Sequence, residues 1–407
     1  MAQKRILTGN GSIKALLNSR FVLFMVVVTL MNVTNFMVNP TLTIAANAIG
    51  ASASMIGVIT SVMGLTSFLL MVIVGPATVT FAPHKLLAVS CFGYAASYFM
   101  LATNSIPFFI AAKITEGFFA AFLVPPSIII LRDCISFDQV STAMGVFQIR
   151  NSFAKIVGPI LGLNLLVKLV GYQKNFIICG IMFVIYGVIS LCCFKLRNTE
   201  FTPKPFRLNP QNIISKGGLI PMVITFLFCT AHMALGYFNN VYAATELGLS
   251  NVGTILAVGN TFAVIFGPIF SSYADKIGIK KVLIPTIIMF TVSPYIWSIA
   301  QGMVACCIAA ALQFTAFSTF VSLMTAHMVK RAGVEGSGLA GNTFTAGQNL
   351  GSFVGGLLTG QLVQFFGYRS MYRYMIIVPV ITLIVTLVYF AKNPETDADQ
   401  ETPAASA

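Results

Sequence analysis

Five side chains able to carry charge fall inside long apolar runs: Lys113, Glu116, Arg150, Lys155 and His232. A charge at a bilayer centre costs about 2.5–3.5 kcal/mol on insertion scales, so each should face a wet cavity or a partner. Lys113 and Glu116 stand three apart, on one helical face, and can neutralise each other. Lys155 shares a polar stripe with Gln148, Asn151 and Ser152 at helical spacing, and a salt bridge to Glu116 is its structural alternative. Arg150 projects roughly 140° from Lys155 at 100° per residue, where it can bind solute or simply snorkel. Three cations against one acid leave an excess that favours a carboxylate, sulfate or phosphate group on a solute. Glu116 is the acid able to exchange a proton for that solute, and His232 is a second titratable candidate.

Other polar residues recur at helical spacing within apolar runs. They are Asn32, Asn35, Asn39 and Thr43; His232, Asn239, Tyr242 and Glu246; Gln313, Thr315, Ser318, Thr319 and Ser322; and Asn342, Thr345, Asn349 and Ser352. They read as the walls of a wet pathway, or as interhelical hydrogen bonds worth about 0.6 kcal/mol each.

The elements that must hold these residues are long and apolar. Of 407 residues, 57% are hydrophobic and only 9% charged, where a water-facing chain carries about 25%. Mean hydropathy is +0.87. Secreted disulfide scaffolds, disordered chains and soluble nucleic-acid binders are excluded, and an all-α polytopic membrane protein is expected. Apolar stretches long enough to cross about 30 Å of hydrocarbon lie near 21–47, 53–75, 85–103, 107–131, 141–169, 174–195, 218–245, 250–272, 281–300, 302–328, 336–366 and 371–391. On that reading, 17 of the 24 basic residues fall in cytoplasmic segments and 4 in outer loops. The bias puts both termini in the cytoplasm. The formal charge of +13 therefore marks cytoplasmic loops and calls for no nucleic-acid partner. The eight cysteines sit mostly in apolar runs without metal spacing and read as buried, reduced thiols.

Division follows from composition and from a repeat. Residues 1–20 form a cytoplasmic tail, 21–195 a first six-helix bundle, and 196–217 a polar linker with Pro203, Pro205 and Pro210. Residues 218–391 form a second bundle and 392–407 a cytoplasmic tail. One ungapped offset of 196 positions pairs Thr29 with Thr225, Gly57 with Gly253, Lys85 with Lys281, Gly145 with Gly341, and Gly171-Tyr172 with Gly367-Tyr368. Duplicated six-span halves enclose a solute site near the midplane in transporters.

Three motifs give this pattern a likeness. The segment Ser271-Ser272-Tyr273-Ala274-Asp275-Lys276-Ile277-Gly278-Ile279-Lys280-Lys281 resembles the G-x-L-A-D-R-x-G-R-R-K loop of the major facilitator superfamily, with Ser271 and Lys276 in place of Gly and Arg. Lys113-Ile114-Thr115-Glu116-Gly117 is similar to the family's R-x-x-Q-G stretch, and Gly158-Pro159-Ile160-Leu161-Gly162 to its G-P-x-x-G motif. The likeness spans residues 15–392 and is nearest to twelve-span drug:proton antiporter-like exporters. It implies two pseudo-symmetric six-helix bundles and a gate built from Asp275, Gly278, Lys280 and Lys281, with Lys330 and Arg331 as partners. It also implies proton coupling near Glu116 and bending at Pro159. The first-half copy of the gate loop carries Val79 where Asp is usual, so Arg132 and Asp133 are expected to pair with each other or with Asp138.

The combined expectation is a monomeric secondary transporter in the cell membrane, without cofactor or metal. It would more readily export a small organic solute against protons than take up or exchange an organic anion. Solute-facing candidates are Asn32, Asn35, Asn39, Lys113, Arg150, Asn151, Lys155, His232, Asn239, Gln313, Asn342 and Asn349. A non-transporting receptor or scaffold is the rival of another class. An intramembrane enzyme would need clustered acids or histidines, and the three histidines lie apart at 84, 232 and 327.

Overall fold

A computed structural model describes residues 19–135, 140–196, 203, 205–206 and 218–393. Helices account for nearly all of them, because a backbone in hydrocarbon must satisfy its own hydrogen bonds. The first half holds α1 (Ser19–Ala48), α2 (Ala53–Thr80), α3 (Pro83–Leu101), α4 (Ile106–Ala120), α5 (Val124–Asp133), α6 (Val140–Pro159), a π-helical stretch Ile160–Leu166 and α7 (Val167–Cys193). The second half holds α8 (Leu219–Val241), a π-helical turn Tyr242–Glu246, α9 (Val252–Ile277), α10 (Ile279–Ile299), α11 (Met303–Tyr374) and α12 (Ile377–Lys392).

Local chemistry explains several of these ends. Ser52 caps α2 by accepting from the Met55 amide, and prolines open α3, α4 and α5, where a missing N–H costs nothing. The expected span 107–131 is interrupted: α4 and α5 meet at a turn over 121–123, just before Pro125 and Pro126.

Among the described residues, nine helical stretches are long and apolar enough to cross a membrane. That is fewer than twelve, and two of the nine, Ile149–Cys193 and Leu339–Lys392, run to 45 and 54 residues. A single crossing needs about 20. Each long stretch contains a glycine in the left-handed region, Gly171 at φ +79° and Gly367 at φ +75°, where a side chain would be strained. These two glycines are mates in the 196-residue register.

Apolar side chains cover the outside, with Phe365 74% and Val304 73% exposed, which suits a surface solvated by lipid. Aromatic pairs fill each half, such as Tyr94 on Phe183 (5.0 Å) in the first and Phe228 on Phe320 (3.9 Å) in the second. Of the cysteines, Cys91, Cys134, Cys179, Cys229 and Cys306 are buried as expected. Cys192 is exposed on the outer face of α7, so burial does not extend to all eight.

The halves meet through a repeated contact. Gly57 of α2 lies against α11, where an added Cβ would come 2.5 Å from the Gly356 carbonyl oxygen and 2.9 Å from the Gly360 Cα. Gly253 of α9 lies against the first half, where a Cβ would collide with the Pro159 carbonyl oxygen and approach Asn164 Oδ1. Gly253 is the register mate of Gly57, and Gly360 that of Asn164. The sequence repeat is therefore a spatial one. Hydrogen bonds Gln361–Ser54 (2.7 Å), Asn164–Thr254 (3.0 Å) and Lys168–Asn251 (2.7 Å) fasten the same end, the one away from the start of α1 and the end of α12.

At the opposite end, Arg20 Nη1 donates to Asp133 Oδ2 at 2.8 Å. This corrects the expected Arg132–Asp133 pairing. Arg132 is exposed, because adjacent helical residues point about 100° apart and Asp133 turns inward toward the start of α1. Asp138 lies outside the described residues.

Candidate functional site

Between the halves lies a cavity of about 420 Å³, within the range of small-molecule sites. Side chains of α1, α2, α4, α6, α8, α9 and α11 line it. Both members of four register pairs line it: Phe36 and His232, Pro40 and Gly236, Thr60 and Leu256, Gly64 and Asn260. Both halves thus present equivalent surfaces to one space.

The first half supplies the charges. Lys113 Nζ donates to Glu116 Oε2 and to Asn39 Oδ1, each at 2.6 Å. Asn39 in turn donates to Asn35 Oδ1. Glu116 is fully buried, and its Oε1 has no hydrogen-bond partner among the described residues. Lys155 also lines the cavity, yet among the described residues it makes no ion pair. The alternative Lys155–Glu116 bridge is not formed, because Lys113 occupies the carboxylate from one helical turn away.

Arg150 is buried at 4% exposure. Its Nε donates to the Phe147 carbonyl at 3.0 Å, and its guanidinium sits 3.5 Å over the Phe147 ring. It neither snorkels nor joins the cavity wall; the ring beneath it replaces water. Asn151 is half-buried and outside the wall. The side chain of Gln148 lies outside those described.

The second half supplies rings. His232 stacks on Phe317 with centroids 3.6 Å apart and meets Phe314 edge-on at 5.6 Å. Tyr237 reaches Ser352 in a 2.5 Å hydrogen bond, and both line the cavity. Behind this wall, Asn239 donates to Gln313 Oε1 (2.9 Å) and accepts from Tyr372 (3.0 Å). Gln313 also accepts from Trp297 Nε1 and donates to the His232 carbonyl, each at 3.3 Å. Asn239 and Gln313 therefore brace the His232 helix from behind.

Of the twelve solute-facing candidates, Asn39, Lys113, Lys155, His232 and Asn349 meet at the cavity. Asn32 donates to the Val28 carbonyl of its own helix, Asn35 holds Asn39, and Asn342 is exposed away from the wall. The wall also contains Phe36, Tyr237, Asn240, Asn260, Phe314, Phe317 and Gln348, which sequence reasoning passed over. The 196-residue register offered one signal, since it equates Phe36 with His232.

Among the residues expected to form a gate, Gly278 joins α9 to α10 at φ +100°. Lys280 is half-buried and Lys281 exposed, while the side chain of Asp275 lies outside those described. Arg331, a suggested partner of Asp275, donates to Tyr389 Oη (3.0 Å) and Asn393 Oδ1 (3.3 Å). Pro159 lines the cavity and also carries the carbonyl packed on Gly253.

Comparison with known proteins agrees with this architecture. The chain is 23% identical over 374 residues to an uncharacterized MFS-type transporter of Methanocaldococcus jannaschii, covering 85% of this chain and 92% of the relative. It is 22% identical over 268 residues to Multidrug resistance protein 2 of Bacillus subtilis, covering 62% and 66% of the two chains. Its fold matches the crystal structure of a mutant of the nucleoside transporter NupG with a TM-score of 0.77 at 14% identity, covering 92% of this chain and all of that one. The profile described as Major Facilitator Superfamily matches residues 22–258 and again 221–406. With a duplicated helical frame around one central cavity, the chain belongs to the Major Facilitator Superfamily of membrane transporters.

Proposed function

We propose that this transporter works by alternating access, its two halves rocking about the central cavity to export a small organic solute against protons. The observation that carries this reading is the buried Lys113–Glu116 pair, whose lysine lines the cavity. A carboxylate there exchanges its hold on lysine for a proton when solute enters or leaves. The chain lacks a G-x-x-x-x-G-K-[ST] phosphate loop, so a gradient supplies the energy. The multidrug-resistance relative supports export. With both termini in the cytoplasm, as the basic-residue bias argues, the fastened end is the outer one and the cavity faces inward. Pro159 bends its span as the halves rock, and Gly278 belongs to the gate loop. The cell membrane is its place, with residues 196–217 as the linker between bundles.

Proteoliposomes with an imposed pH gradient and a panel of organic acids and drugs test this. Glu116→Gln should abolish gradient-driven accumulation, while solute counter-exchange persists. Full accumulation by the variant would sink Glu116 as the coupling group. A second reading, uptake or exchange of an organic anion, is favoured by Lys155, a cavity cation without a counter-charge among the described residues. Preferential block of flux by cationic analogues would count against it.

A further inference from the structure

The cavity wall is chemically divided. Its two charged side chains, Lys113 and Lys155, both come from the first half. Four of its five rings, His232, Tyr237, Phe314 and Phe317, come from the second. The charge on Lys113 is taken up by Glu116 at 2.6 Å. Lys155 has no counter-charge among the described residues, in a wall otherwise built largely of apolar surface. An uncompensated ammonium in such surroundings attracts an anion and repels a cation far more strongly than it would in water. In the same wall, the His232–Phe317 stack is held in place by Phe314 at its edge and by the Gln313 bond to the His232 carbonyl. Rings fixed in this way favour a flat aromatic body over a flexible chain, through face and edge contacts beyond simple area burial.

We infer that the solute is an aromatic organic monoanion, its acidic group on Lys155 and its ring against the His232–Phe317 pair. The inference rests on the cavity being the solute site and narrows it to one chemical class. A neutral apolar solute would leave the Lys155 ammonium unanswered. An aliphatic acid would satisfy the lysine and waste the rings.

Radiolabelled 4-phenylbutyrate, octanoate and 4-phenylbutylamine separate the two halves of the claim: acid with ring, acid without ring, ring with opposite charge. Binding of the labelled acid to the full chain in nanodiscs is read by scintillation proximity, with all three unlabelled compounds as competitors. Unlabelled 4-phenylbutyrate should compete at concentrations about tenfold lower than either other compound, equivalent to about 1.4 kcal/mol. Lys155→Gln should erase the advantage over the amine, and Lys155→Arg should keep it. Phe317→Leu should erase the advantage over octanoate while the preference for acid over amine stays. Equal or better competition by the amine overturns the anion, equal competition by octanoate overturns the ring, and absence of saturable binding overturns both. Flux of the same acid in proteoliposomes is measured separately. Selective binding without flux defeats the transport reading alone, and flux of other solutes without 4-phenylbutyrate binding defeats this inference alone.

Discussion

At the centre of the first half lies an ion pair, and at the centre of the second lies a neutral network. In the 196-residue register Gln313 is the mate of Gly117, the neighbour of Glu116 on α4, so the two polar centres sit at the same level of their bundles on different helix faces. Around them the frame repeats closely: Gly57 and Gly253 make matching contacts, and Gly171 and Gly367 make matching breaks. The interiors do not repeat. Gln313 satisfies Asn239, Trp297 and the His232 carbonyl at once, with no net charge to desolvate. Glu116 satisfies Lys113 and leaves one oxygen without a partner. Duplication preserved what holds the helices together, while the polar chemistry inside each bundle diverged. A neutral, saturated network braces its bundle, while the charged pair leaves an acceptor atom unanswered.

The contrast breaks most readily at the ion pair. Glu116→Ala leaves the Lys113 ammonium buried without a counter-charge and should cost about 3–5 kcal/mol, read as a fall in the unfolding midpoint in nanodiscs. The double variant Lys113→Met with Glu116→Met should regain most of that loss. A single variant as stable as the parent would mean that water already reaches the lysine. Gln313→Leu should have a smaller effect, about 1–3 kcal/mol, because it strands neutral donors on Asn239 and Trp297. Trp297 is the chain's single tryptophan, so its emission reports the disturbance directly, and an unchanged spectrum would remove Gln313 from the network. Smallest of all is the stability change at Lys155. With no partner to lose among the described residues, Lys155→Gln should leave the midpoint unchanged or raise it, by at most about 1 kcal/mol. A clear loss of stability there would reveal a counter-charge and weaken the case for an anionic solute.

How much of this was legible in the residues depended on distance along the chain. The Lys113–Glu116 pair was readable, because three residues on a helix bring two side chains to one face. The Lys113–Asn39 bond spans 74 positions, and nothing in local spacing announces it. Arg132 stood next to Asp133 and drew the obvious pairing, yet the partner is Arg20, 113 positions away. Phe314 and Phe317 could not be told from the other phenylalanines among 35, since lipid-facing, core and cavity positions all accept the same ring. Asn239 and Gln313 looked like pathway residues and turned out to be bracing ones, because a polar side chain in an apolar helix suits either role.

Alone, the order of residues determined that the chain is helical, spans lipid and repeats itself at 196 positions. Those properties follow from apolar run length, helical period and like-for-like spacing, each a feature of the chain read along its length. Only the folded arrangement decided which lysine is neutralised, which has no counter-charge among the described residues, and which rings line the cavity. Both depend on where segments from two halves come to rest against each other, and electrostatic and packing energies are set by those separations in space.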